Sequence, residues 1–176
     1  MLEQCIFAGF GGQGTLLIGK FLACAGLMEG KEVTWLPSYG PEMRGGTANC
    51  SVVVSDKPIA APVISNPTAV IAMNLPSLDK YENTVVPGGM IFVDTTLIER
   101  KVRRTDVKVF YIPCTALAQQ IGAPTLANMI MVGKFIRESG AVRYENLDAA
   151  LKKVVSARHA DLFDINLKAI NPGYQY

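Results

Sequence analysis

The stretch Cys5-Ile6-Phe7-Ala8-Gly9-Phe10-Gly11-Gly12-Gln13-Gly14 joins an apolar strand to a long apolar helix through a Gly-x-Gly-x-x-Gly spacing. Glycines in that setting turn the chain sharply and let backbone N–H groups approach a ligand with no Cβ in the way. They also aim a helix N-terminus at an anion. A second glycine-rich segment, Ser38-Tyr39-Gly40-Pro41-Glu42-Met43-Arg44-Gly45-Gly46, follows the next strand. The two loops are therefore expected side by side at one edge of a sheet.

Strand and helix signals alternate along the chain. Apolar strands are expected at 4–8, 32–36, 69–73, 90–94 and 107–112, with a β-rich run at 47–55. Helices are expected at 15–29 and from Pro76 to about Asn83. The last third reads as helical: 115–121, then Pro124 to Ser139, then an amphipathic stretch at 144–157. A final helix starts at Asp161 and is expected to break before Pro172. This order predicts an α/β protein with a Rossmann-like, doubly wound, mainly parallel sheet, flanking helices and a helical C-terminal third. With 176 residues and no repeat or linker, residues 1–176 are expected to form one domain.

Composition narrows the function classes. Apolar residues make up 49% of the chain and charged residues 18%, which rules out disorder and suggests an unusually buried or partner-covered surface. A net charge of +2 gives no drive toward nucleic acid or membrane. The apolar run at 15–28 is too short for a bilayer span and lacks the flanks of a signal peptide. Cys5, Cys24, Cys50 and Cys114 are widely spaced with no Cys-x-x-Cys pair. They do not read as a metal or iron–sulfur site, and a reducing cytoplasm is the expected location.

A nicotinamide site needs an acid ending the second strand, about 20 residues past the glycines, to bond the ribose. That strand ends in Pro37 and Ser38, and Glu32 lies at its other end. Two readings of the first loop stay open: an anion site, or a tight strand–helix junction without ligand. For the second loop there are three. Arg44 forks onto a phosphate or carboxylate, or pairs with Glu42 to shape the loop, or joins Trp35, Tyr39 and Met43 in a protein interface. Elsewhere, Asp94 either faces the same crevice or caps the chain, Cys114 reads as a buried thiol, and His159 as a surface residue. No nucleophile elbow, metal cluster or paired carboxylates stand out.

The order Gly9-Phe10-Gly11-Gly12-Gln13-Gly14, then Tyr39 to Gly46, then Ser55-Asp56-Lys57-Pro58-Ile59 resembles the gamma subunit of 2-oxoacid:ferredoxin oxidoreductases. Pro124-Thr125-Leu126-Ala127-Asn128-Met129 is similar to a further segment of that family. The likeness covers essentially the whole chain and leans to the 2-oxoglutarate or 2-ketoisovalerate branch over the pyruvate branch. It implies a subunit of an enzyme that converts a 2-oxoacid and coenzyme A to an acyl-CoA and carbon dioxide, with two electrons passed to ferredoxin. It further implies alpha, beta and ferredoxin-like delta partners that hold thiamine pyrophosphate and the iron–sulfur clusters, with no cofactor held by this chain alone.

In that setting Gly9, Gly11, Gly12, Gln13, Gly14, Tyr39, Glu42, Arg44, Gly45 and Gly46 are the candidates for contact with an anion, coenzyme A or a partner. A stand-alone NAD(P)-dependent oxidoreductase, a scaffold subunit without small-molecule binding, and the related indolepyruvate enzymes are the alternatives.

Overall fold

The computed structural model describes residues 1–38, 47–155 and 161–176. Six strands form one sheet: β1 (Leu2–Phe10), β2 (Glu32–Ser38), β3 (Thr47–Ser55), β4 (Ala69–Ala72), β5 (Met90–Asp94) and β6 (Lys108–Ile112). Their order is β2-β3-β1-β4-β5-β6. β1, β4, β5 and β6 are parallel, whereas β3 runs antiparallel to both β1 and β2. The mainly parallel α/β sheet expected from the sequence is thus present, with one reversed strand inserted between β1 and β2. The long crossover from β1 to β2 leaves room for it.

Among the described residues six α-helices accompany the sheet: α1 (Thr15–Met28), α2 (Leu75–Tyr81), α3 (Cys114–Gln120), α4 (Ala127–Ser139), α5 (Leu147–Val154) and α6 (Asp161–Gln175). α1 lies on β3 and β2 through its small residues. A Cβ added at Gly19 would sit 2.3 Å from Cys50 Sγ, and one at Gly26 would sit 2.9 Å from Val33. Two glycines two turns apart bring this helix close to the strands, which offsets their poor helix propensity. The larger core lies on this face. Phe135 of α4 packs edge-on against Phe7 and Phe92, with centroids 5.7 and 5.6 Å away, and Phe110 stacks on Phe92. A smaller core on the opposite face joins Ile6, Ala8, Val70, Val93 and Leu78 under α2.

α4 is buried from Asn128 to Ile136, as its all-round apolar sequence predicts. What buries its outer side is α6, and here the sequence expectation needs correcting. α6 continues through Pro172 to Gln175, and the Tyr176 N–H donates to the Pro172 carbonyl at 3.0 Å. Pro172 stands in the last turn, so its missing N–H removes one terminal bond only. Its neighbour Gly173 lies against the backbone of Ile130, and Gly133 against the backbone of Ile170. That close crossing holds the turn in helical form.

The C-terminal third is fastened to α1 by one carboxylate. Glu29, just past α1, has a side chain only 3% exposed. It accepts from the Arg143 N–H at 2.6 Å and from Asn146 Nδ2 at 2.9 Å, with Lys31 Nζ at 3.1 Å. Burial alone pushes this carboxyl up. The bonds from Asn146, Arg143 and Lys31 outweigh it and hold the group below the usual glutamate range. Its stabilisation is therefore fully present above about pH 4.3, the unfolded value, and is lost as pH falls through the lower folded value. Glu29→Gln is expected to cost about 1–3 kcal/mol at neutral pH and to flatten the acid limb of stability. Urea melts at pH 7 and pH 3.5 check this, and equal parent–variant differences at both pH values would contradict it.

Candidate functional site

The first glycine loop closes through one tight turn. The Gln13 N–H donates to the Phe10 carbonyl at 3.1 Å, and Gly12, third in the turn, has φ +97°. Positive φ at that position is what glycine permits at low cost. The Gln13 side chain then locks the loop to the sheet. Its Oε1 accepts from the Phe10 N–H at 2.6 Å, and its Nε2 donates to the Met73 carbonyl, just past β4, at 2.9 Å. Gly9 leaves the space for that amide, because a Cβ there would sit 2.7 Å from Gln13 Oε1.

Gly14 is left-handed, φ +73°, and is the N-cap of α1. A Cβ at Gly14 would meet Asn128 Nδ2 at 2.3 Å; that amide nitrogen donates to the Gly14 carbonyl at 3.2 Å. The fingerprint therefore carries a structural duty at Gly9, Gly12 and Gly14. Gln13 spends its amide on backbone, so what the loop presents outward is its main chain. A Cβ placed on Gly12 would find no heavy atom within 4 Å.

Beside the loop, at the carboxyl ends of the parallel strands, lies a crevice of about 300 Å³. Gly12, Met73, Leu97, Thr115, Thr125 and Ala127 border it. Open α/β sheets place ligands at this edge. The N-terminus of α1 has neither a side-chain cap nor an acid in its first turn, and the same holds for α4. The N–H groups of the first turn of α1 give its end of the glycine loop a positive character without a lysine or arginine.

Asp94, at the end of β5, is fully buried and takes the capping role. It accepts from the Thr115 hydroxyl at 2.6 Å, the Thr115 N–H at 3.2 Å and the Thr96 N–H at 3.1 Å. Asn128, which the sequence offers only as part of the family-like segment Pro124–Met129, is the residue that couples α4 to the glycine loop. A polar residue inside an otherwise apolar helical run was the available signal.

The second loop's candidates, Tyr39, Glu42, Arg44, Gly45 and Gly46, lie outside the described residues, as does His159. The ends of that loop are described. Thr47 pairs with Phe10 and Ser38 with Asn49, so the loop leaves and re-enters the sheet beside the first glycine turn. Glu32, the acid nearest in sequence to a ribose-binding position, begins β2. Six residues of strand put it about 20 Å from the crevice edge.

The cysteines offer no nucleophile there. Burial pushes the Cys114 thiol well up, with Asp94 adding to the effect, and burial pushes Cys50 up to about 12 against opposing bonds from Trp35 and Gly19. Among the described residues no three His, Cys, Asp or Glu side chains converge as metal ligands, so they do not fit an iron–sulfur cluster. Nor is any described helix long and apolar enough to cross a membrane.

Comparison with known proteins agrees with this geometry. A keto/oxoacid ferredoxin oxidoreductase gamma subunit from Geobacter sulfurreducens superimposes with a TM-score of 0.84 at 27% identity, over 98% of this chain and 96% of that one. The 2-oxoglutarate synthase subunit KorC of Methanocaldococcus jannaschii is 34% identical over 178 residues, covering 99% of this chain and 94% of that protein. The ketoisovalerate oxidoreductase subunit VorA of Methanothermobacter thermautotrophicus is also 34% identical, over 170 residues. There the match covers 96% of this chain and 35% of VorA, so the chain spans about a third of that relative's length. The model of the pyruvate ferredoxin/flavodoxin oxidoreductase family matches residues 4–176, from β1 through α6, and the chain belongs to that family.

Proposed function

We propose that this chain is the gamma subunit of a 2-oxoacid:ferredoxin oxidoreductase of the 2-oxoglutarate or ketoisovalerate type. The observation that carries this reading is the end-to-end likeness to KorC, at 34% identity over 94% of that protein. In such an enzyme a 2-oxoacid and coenzyme A give an acyl-CoA and carbon dioxide, and two electrons pass to ferredoxin. Thiamine pyrophosphate and the iron–sulfur clusters belong to alpha, beta and ferredoxin-like delta partners in this reading. The wide spacing of the four cysteines and the burial of Cys5, Cys50 and Cys114 support that division.

The chain's own share is assembly and contact with coenzyme A. The main chain of Gly11 and Gly12, the uncapped start of α1 and Arg44 of the adjoining loop form the surface that meets the anionic groups of that substrate. A pyrophosphate suits helix N-termini and a guanidinium fork. The missing acid at the end of β2 disfavours a nicotinamide nucleotide instead.

Arg44→Ala in the assembled enzyme is expected to raise the KM for coenzyme A about tenfold or more, with kcat within about twofold, as lost ground-state contact does. The isolated chain is expected to bind NADH and NADPH too weakly for calorimetry at micromolar concentrations. An unchanged KM removes Arg44 from the contact, and micromolar NADH binding would return the dehydrogenase reading.

A further inference from the structure

The sheet ends in two edge strands, β2 and β6, and their backbones differ in what they offer outward. The Asp56 N–H donates to the Met1 carbonyl at 3.1 Å. Antiparallel alternation from that pair turns the even-numbered residues of β3 toward β1 and the odd-numbered ones toward β2. Val33, Trp35 and Pro37 of β2 therefore point their backbone groups away from the sheet. Pro37 has no N–H to offer there, which closes this edge to a further strand.

β6 carries no such block. The Lys108 N–H donates to the Gly89 carbonyl at 2.8 Å, and the Ile112 carbonyl accepts from the Thr95 N–H at 3.0 Å. Lys108, Phe110 and Ile112 thus bond toward β5, which directs the N–H and C=O of Val109 and Tyr111 outward. No described backbone group bonds to them. The flanking helices are set back from this edge. α4 places Phe135 against Phe7 of β1 and Phe92 of β5, and it reaches β6 through Lys134, whose Nζ lies 5.3 Å from the centre of the Phe110 ring. On the other face α2 packs on β1 and β4. Val109, Phe110 and Tyr111 are each half-buried.

We infer that β6 is the docking edge for β6 of a second copy of this chain, paired antiparallel about a two-fold axis at Phe110. Register is what selects a second copy. With the two five-residue strands fully overlapped, Val109 of one copy stands opposite Tyr111 of the other. These are the residues with outward backbone groups, so each such pair exchanges both of its N–H···O bonds. A slide of one residue sets outward groups against residues already bonded to β5. A slide of two sets Val109 against Pro113, which has no N–H, or Ile112 against Asp106 outside the strand. At the axis Phe110 meets its own copy and carries the Phe92–Phe110 stack, with ring centres 4.8 Å apart, across the junction. Lys108 faces Ile112 of the other copy, so no like charges stand opposite each other. The strip is roughly 17 Å long and buries a few hundred Å² per copy, below the roughly 800 Å² of a standard interface. Pairing of the isolated chain is therefore weak. The inference does not depend on the subunit reading above.

Sedimentation velocity of the whole chain between about 10 and 500 µM is expected to show a reversible monomer–dimer equilibrium. Val109→Pro removes one outward N–H per copy at a position like that of Pro37. It is expected to weaken the dimer about tenfold or more with the fold retained, since the facing carbonyl loses its donor. Cross-linking with diamide reads the register separately, in a Cys24→Ser background. Phe110→Cys brings two thiols within disulfide reach at the axis and is expected to cross-link, whereas Val109→Cys, which faces Tyr111, is not. Thermal melts establish that each variant is folded.

A parent that stays monomeric over that range, or a dimer that Val109→Pro leaves intact, would overturn the inference. So would cross-linking through Val109→Cys in place of Phe110→Cys, and if Val109→Pro does not fold, that pair of variants decides alone. Protection of the Val109 and Tyr111 amides from hydrogen exchange only after other subunits are added would give the edge to a partner's strand and contradict the inference.

Discussion

Gly173→Ala is expected to destabilise the fold by about 3 kcal/mol or more, at the upper end of what overpacking costs. A Cβ at Gly173 would sit 1.7 Å from the Ile130 carbonyl oxygen and 2.6 Å from its carbon. The opposing glycine is equally constrained, since a Cβ at Gly133 would come within 2.2 Å of the Ile170 carbonyl oxygen. Neither obstacle is a flexible side-chain end, so relief requires α6 to move off α4. That movement exposes Ile130, Ala169 and Ile170, all fully buried in the parent. Gly122→Ala makes the contrast. Gly122 has φ +72° with open space around it, so alanine there bears only left-handed strain of about 1–2 kcal/mol. Urea midpoints read both. A loss at Gly173 no larger than that at Gly122 would show that the helix crossing is looser than described.

Gly14→Ala is expected to cost about 3 kcal/mol and to disturb the glycine loop. One part is the left-handed φ of +73°. The other is displacement of Asn128, whose amide nitrogen would stand 2.3 Å from the new methyl. Asn128 is buried, and its Oδ1 has no partner among the described residues, so a displaced amide leaves further polar atoms unpaired. Gly14→Ala/Asn128→Ala is expected to lose less than the sum of the single changes, because removing the side chain relieves the contact. Strict additivity in a denaturation cycle would separate Gly14 from Asn128 and remove the link between α4 and the loop.

Much of this architecture was legible in the sequence because each strand is a short apolar run bounded by glycine or proline. The helix expected at 15–29 is present as α1, yet its glycines were not recognisable as packing sites. Only the pairing of β3 with β1 and β2 shows that Gly19 faces Cys50 and Gly26 faces Val33 and Val54. Strand direction was likewise hidden, since Thr47–Ser55 carries the same β signals whichever way it runs. Pro172 misled for a related reason: local propensity ends a helix there, and the contact between Gly173 and Ile130 keeps it intact.

At the glycine loop the spacing was visible but its duties were not. Gln13 reads as a ligand contact in sequence, whereas its two ends are taken by Phe10 and Met73. Those partners lie three and sixty residues away, and a separation of sixty residues leaves no local trace. The absence of a carboxylate ending β2 was readable directly, and β2 places Glu32 at its far end.

Ferredoxin reduction by the partner subunits, measured with and without this chain, bears most directly on the proposed role. With 2-oxoglutarate or ketoisovalerate, coenzyme A and ferredoxin supplied, the complete set of subunits is expected to turn over. The isolated chain is expected to show no turnover, and the set lacking it less than about a hundredth of the full rate, the scale of a misplaced or missing positioning element. Full activity without this chain, or viologen reduction by this chain alone, would contradict the assignment.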